Sequence, residues 1–279
     1  MRIDAALSRA RAAGRPIVVP YLLVDRRRAR GLDATVRALA AGGATALELG
    51  FPFSDPIADG PVLQAAATRA LRHGTRWADL LAAARTASRT LPTAVMTYAN
   101  PVFRRGLGPA MDALAGAGAT GLVVPDLSLE EAGPWSRAAR RAGLSLVLLA
   151  APAVSAGRAA RIARRSRGFL YLVSRYGTTG RSGAADAPDL AGLVRSAHRA
   201  APRLPVLVGF GVRDAATARA ALGCGADGVI VGTALEELLG AGAGPDGVAR
   251  WLARLTRGAD PSVRAGRGVR RSSEPSAEA

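Results

Sequence analysis

Short apolar runs alternate along the chain with longer Ala/Arg/Leu segments of helical period. Eight such runs are evident: Ile17–Leu23, Ala46–Leu49, Ala94–Thr97, Gly121–Val124, Leu144–Leu149, Phe169–Val173, Val206–Val208 and Gly228–Val231. They are too short for buried helices and too uniformly apolar for strands with one wet face. That pattern suits parallel strands covered on both sides. The segments between them, among them Thr35–Ala41, Trp77–Ser88, Leu129–Ala142, Ala156–Arg165, Leu190–Ala200 and Ala215–Leu222, read as helices. Asp33, Ser155 and Asp214 stand where helix N-caps are needed. Glycine pairs such as Gly42–Gly43 and Gly223–Gly225 separate helix from following strand. Eight βα units in one chain predict a single-domain α/β (β/α)8 barrel over residues 1–257, with an open doubly wound sheet as the alternative. Residues 258–279 are rich in Arg and Ser without apolar periodicity and read as a disordered tail.

Composition narrows the picture. The chain has 279 residues, 49% of them hydrophobic and 21% charged, enough to bury a sizeable core. One cysteine, Cys224, excludes an intrachain disulfide and a Cys-rich zinc site. The two histidines, His73 and His198, follow no metal-ligand spacing. The net charge of +17 comes entirely from arginine, since the chain has no lysine. These arginines are dispersed and aromatics make up only 4%, so arginine-for-lysine usage is a better reading than nucleic-acid binding. No segment reads as a signal peptide or a membrane span, and a cytoplasmic protein is expected.

In a barrel of this kind the chemistry lies where the strands end. In Leu47-Glu48-Leu49 the leucines share one face, so Glu48 is expected to point into the barrel mouth. Burial would raise its pKa, as a general acid near neutral pH requires; pairing with an inward arginine is the structural alternative. Eleven residues on, Asp59 sits in a loop punctuated by Pro52, Pro56, Gly60 and Pro61, which can fold back toward the same cavity. Tyr98 and Asn100 follow the third strand, and Asp126, after the fourth, is best read as a cap. A long Gly/Thr/Ser stretch, 177–183, follows the sixth strand and reads as a lid or as a passive connection. Gly209-Phe210-Gly211 and Gly232-Thr233 end the last two strands, where backbone N–H groups and a helix N-terminus can receive an anion.

The stretch from Glu48 to Pro61, with Pro52-Phe53-Ser54-Asp55-Pro56 and Ala58-Asp59-Gly60-Pro61, resembles the signature of the tryptophan synthase α subunit family. Tyr98-Ala99-Asn100-Pro101, Pro125-Asp126-Leu127, Gly209-Phe210-Gly211 and Gly232-Thr233-Ala234 match in order. The resemblance implies a (β/α)8 barrel that cleaves indole-3-glycerol phosphate by a retro-aldol reaction, releasing indole and glyceraldehyde 3-phosphate. It implies Glu48 as general acid/base and Asp59 as the acceptor for the indole N–H. Tyr98 and Tyr171 would lie beside the substrate, and Thr179 would position Asp59. Gly180, Gly211, Gly232 and Thr233 would hold the phosphate. It requires no metal or organic cofactor, and the family's partner is a pyridoxal-phosphate β subunit. Two regions bordering that docking surface depart from the family. A Thr-x-Gly-Asp-Pro turn after strand one is replaced by Leu22-Leu23-Val24-Asp25-Arg26-Arg27-Arg28, and Pro-Asp-Leu-Pro ends here in Ser128. A stand-alone lyase releasing free indole, and a non-catalytic barrel binding a phosphorylated ligand, are the alternatives.

Overall fold

A computed structural model describes residues 1–151, 153–173, 189–209 and 211–259. Eight parallel strands close on themselves in sequence order. They are β1 (Ile17–Leu23), β2 (Leu47–Gly50), β3 (Thr93–Met96), β4 (Gly121–Val123), β5 (Ser145–Ala150), β6 (Leu170–Val173), β7 (Val206–Gly209) and β8 (Gly228–Val231). β8 pairs back onto β1, Ile17 with Gly228 and Val19 with Ile230, so the open-sheet alternative is excluded.

The alternation expected of buried strands is present. Leu47 and Leu49 join the outer core with Leu22, Val95 and Leu122, against the helices. Residues of the other parity, including Ile17, Val19, Tyr21, Met96, Phe169 and Tyr171, fill the barrel interior. Helix α1 (Ile3–Ala12) precedes β1 and buries Ile3 and Leu7 among these interior residues, closing the end away from the strand C-termini. Its Ile3, Leu7 and Ala10 spacing was legible in the sequence but lies outside the βα rhythm.

Around the barrel run α2 (Leu32–Ala41), α3 (Pro61–Arg72), α4 (Trp77–Ala87), α5 (Ala99–Phe103), α6 (Leu107–Gly116), α7 (Ala132–Arg141), α8 (Ala156–Arg165), α9 (Leu190–Ala200), α10 (Ala215–Gly223), α11 (Thr233–Gly240) and α12 (Pro245–Ala259). Ser155 and Asp214 cap α8 and α10, accepting from the N–H groups of Arg158 and Thr217. Asp33 does not cap α2. A 3-10 helix over Arg26–Gly31 leads straight into α2, so the chain is already helical at Gly31, and Asp33 pairs instead with Arg37. Helix α12 packs along α2 and α10 and continues through Ala259, which is buried; it therefore includes two residues of the stretch expected as tail, and residues 260–279 lie outside the described residues.

Glycines at the strand ends make space for two interior tyrosines. A Cβ at Gly50 would overlap the Tyr21 ring, and one at Gly209 would overlap Tyr171. Backbone and a ring cannot both shift cheaply inside a closed barrel. Gly50→Ala is therefore expected to destabilise the fold by roughly 1–3 kcal/mol, read as a lower urea midpoint; an unchanged midpoint would refute this account of the glycine.

Candidate active site

Glu48 lies on β2 between the two outward leucines, opposite Tyr21 of β1 and Ala94 of β3 in the ladder. It is 0% exposed, and neither carboxyl oxygen has a hydrogen-bond partner among the described residues. Among the described residues, no inward arginine is paired with it. Burial, reinforced by the negative charge of Asp59, pushes the Glu48 pKa up to about 8. The group is protonated at neutral pH and can deliver a proton.

Asp59 reaches the same interior from the loop after β2. Two hydrogen bonds shape that loop: the Asp59 N–H donates to the Pro56 carbonyl, and the Gln64 side chain on α3 donates to the carbonyl of Asp59. Tyr98, just after β3, fixes the Asp59 side chain. Its hydroxyl donates to Asp59 Oδ2 at 3.2 Å and accepts from the Ala58 N–H at 3.0 Å. Phe53 of the same loop stacks on the Tyr98 ring, centroids 5.0 Å apart. Burial raises the Asp59 pKa to about 6, while the Tyr98 hydrogen bond pulls the other way. The two carboxyls thus differ in protonation near pH 7: Glu48 holds its proton and Asp59 is largely ionised. Such a pair supplies an acid and an anionic hydrogen-bond acceptor to the interior of one barrel.

Tyr171 of β6 faces these carboxyls; burial and the charges of Glu48 and Asp59 raise its pKa, so it remains a neutral phenol. Tyr21 is held neutral in the same way, by burial first and then by Asp59 and Glu48. The sequence reading did not single out Tyr21, although it shares parity with Ile17 and Val19 and so had to point inward. Asp59, Tyr21 and Tyr171 line one cavity with Gly211, Gly232 and Thr233 from the ends of β7 and β8. Gly211 has φ +98°, a left-handed conformation that favours glycine. Gly232 and Thr233 open α11, so its N-terminus faces the cavity.

Seven of the expected site residues are therefore assembled at one end of the barrel: Glu48, Asp59, Tyr98, Tyr171, Gly211, Gly232 and Thr233. Thr179 and Gly180 lie outside the described residues. Asp126 accepts from the Ala99 N–H at 2.9 Å and caps α5, as expected of it. His73 is paired with Asp25, and His198 with Asp227, each at 2.9 Å. Among the described residues no group of three or more His, Cys, Asp or Glu is placed to hold a metal ion, and no helix is long and apolar enough to cross a membrane.

Both unusual segments have a local physical basis. After β1, Asp25 accepts from the Arg27 N–H and the Arg26 N–H donates to Thr75, which sets the 3-10 turn without glycine or proline. Ser128 accepts from the Glu131 N–H at 3.2 Å and donates to its carboxylate at 3.0 Å, shaping the approach to α7.

A closed (β/α)8 barrel with a buried acid, Glu48, behind a cavity lined by Asp59 and faced by a helix N-terminus has the makings of an acid–base enzyme for an anionic substrate, and its relatives place it among the lyases. The sequence comparisons agree. Residues 7–257 match the family model described as "Tryptophan synthase alpha chain". The tryptophan synthase alpha chain of Synechococcus elongatus is 42% identical over 261 residues, 92% of this chain and 97% of that protein. That of Laribacter hongkongensis is 39% identical, covering 93% and 99%. Among solved structures, a Mycobacterium tuberculosis tryptophan synthase chain superposes with a TM-score of 0.82 at 35% identity, over 93% of this chain and 98% of that one. The alpha subunit from Legionella pneumophila gives 0.80 at 32%, over 93% and 98%. The chain belongs to the tryptophan synthase alpha chain family.

Because Glu48 holds its proton in the fold to about pH 8, while an unfolded glutamate releases it near 4.5, the folded state binds the extra proton between those limits. Its contribution to stability therefore falls as pH rises through that window, by at most roughly 1.4 kcal/mol per pH unit. Glu48→Gln should flatten this slope in urea melts from pH 5 to 8; an unchanged slope would mean that Glu48 ionises freely in the barrel.

Proposed function

We propose that this chain cleaves indole-3-glycerol phosphate to indole and glyceraldehyde 3-phosphate, as a step of tryptophan biosynthesis in the cytoplasm. The observation that carries the reading is a buried, protonated Glu48 in the barrel interior whose titration is coupled to Asp59, with Asp59 lining a cavity that the α11 N-terminus also faces. The reaction needs one group that gives and retakes a proton, and one anion that holds an N–H as positive charge develops.

In this mechanism Glu48 transfers its proton to C3 of the indole ring. The ring becomes a cationic indoleninium, and Asp59, fixed by Tyr98, stabilises it through its N–H. The Glu48 carboxylate then takes the proton of the side-chain hydroxyl next to C3. As the O–H pair forms the aldehyde C=O, the C3–C bond breaks and its electrons return to the ring nitrogen. Glu48 ends protonated, so no other reactant is consumed, and the indole ring serves as the electron sink. Tyr21 and Tyr171 stay neutral in this setting and wall the ring from water. The N–H groups of Gly211, Gly232 and Thr233 hold the phosphate against the α11 dipole; on the family pattern Gly180 joins them and Thr179 positions Asp59.

A pyridoxal-phosphate β subunit is the proposed partner. Indole release by the purified chain, alone and with such a subunit, tests both parts. Activity that rises with the partner supports the paired enzyme, whereas strong activity indifferent to it means a stand-alone lyase. No release in either case overturns the reading.

Glu48→Gln removes the transferable proton while keeping the shape, so cleavage should fall by at least about 100-fold with glycerol 3-phosphate binding retained; full activity would sink the mechanism. Gly211→Val places a branched side chain at φ +98° in the anion cradle, and glycerol 3-phosphate affinity should drop at least about tenfold. Unchanged affinity would move the phosphate elsewhere.

A further inference from the structure

Glu236 is the one glutamate besides Glu48 that is buried among the described residues, 4% exposed, and it sits in the first turn of α11. Two guanidinium groups hold it. Arg28, from the 3-10 turn after β1, makes a bidentate pair at 2.7 and 2.9 Å. Arg69 of α3 adds a third contact at 3.1 Å. The cluster thus ties together three segments that follow β1, β2 and β8. One of them, the turn bearing Arg28, is where the chain departs from the family pattern. Another, α3, starts two residues after Asp59.

A carboxylate in a helix's first turn is favourable for the helix dipole. Here the same N-terminus is the proposed seat of a phosphate, and two anions at one helix end repel each other. Two arginines on one carboxylate leave the cluster with a net positive charge. Loss of either arginine would take the cluster from net positive to neutral and weaken its support of the phosphate, and loss of Arg28 would also release α11 from the β1 turn.

Resting on the proposed function, we propose that Arg28 and Arg69 are positioning residues for phosphate recognition: by neutralising Glu236 they keep the α11 N-terminus attractive to the phosphoryl dianion of the substrate and hold it in register with the loop that carries Asp59. They act through Glu236 and α11 rather than by touching the substrate.

The test uses the full-length chain, with glycerol 3-phosphate binding by calorimetry and steady-state cleavage of indole-3-glycerol phosphate. Arg28→Met should weaken glycerol 3-phosphate binding on the order of tenfold and raise KM in parallel, with kcat unchanged. Arg28→Met combined with Glu236→Leu removes both charges with apolar replacements of similar bulk, which buried ion clusters tolerate. The double variant should recover most of the lost affinity, and Arg28→Lys should lie between. Should Arg28→Met fail to fold, Arg69→Met, which keeps the bidentate pair, is expected to show the same split with a smaller loss. Unchanged binding in the single variants, a fall in kcat rather than a rise in KM, or a double variant no better than the single would each overturn the proposal. Wild-type chain that binds no glycerol 3-phosphate would instead overturn the functional reading on which it rests.

Discussion

A carboxyl group buried inside a closed barrel, with no hydrogen bond to it among the described residues, is the constraint around which the rest of the site is arranged. Ionised Glu48 would carry an uncompensated charge in a medium of low polarisability. The fold avoids that cost by keeping the group protonated. Everything nearby is consistent with a neutral neighbour. Tyr21 and Tyr171 are themselves neutral phenols, and no arginine among the described residues reaches the carboxyl oxygens. The resulting state stores a proton where water has little access, and a store of that kind is what carbon protonation requires.

The second carboxyl is treated differently. Asp59 is nearly as buried, but it accepts the Tyr98 hydroxyl, and that hydroxyl is in turn anchored to the loop backbone at Ala58. The fuller burial of Glu48 and the charge of Asp59 raise the one, while the Tyr98 hydrogen bond to the ionised form holds the other down, and the two titrations separate. Two acidic residues of similar intrinsic strength thus acquire opposite roles through environment alone. The Phe53–Tyr98 stack holds the arrangement in place, so the loop between β2 and α3 is ordered by the same tyrosine that tunes the acid.

Charge is also managed at the far side of the cavity. The α11 N-terminus combines backbone N–H groups with a buried glutamate, and the two arginines on that glutamate come from the segments after β1 and β2. The acid pair and the anion seat are therefore connected through side chains as well as through the sheet. The turn after β1, which lacks the family's glycine and proline, gains its rigidity from Asp25, Thr75 and Arg28 instead.

The sequence alone determined the eight apolar runs, their reading as parallel strands covered on both faces, the inward parity of Glu48 and the glycines at the ends of β7 and β8. Those features follow from local periodicity and from residue types with few conformational alternatives. The extra helices α1 and α12 were equally periodic but fell outside the repeating unit, and Asp33 looked like a cap because a preceding 3-10 turn has no strong sequence signature. Only the tertiary structure decided that Glu48 has no arginine partner among the described residues and that Tyr98 holds Asp59. It also decided that Gly50 and Gly209 make room for tyrosine rings, and that Arg28, Arg69 and Glu236 meet. Each of these joins residues from different βα units. Their proximity is set by closure of the barrel, a long-range geometric condition that no local pattern of side chains encodes.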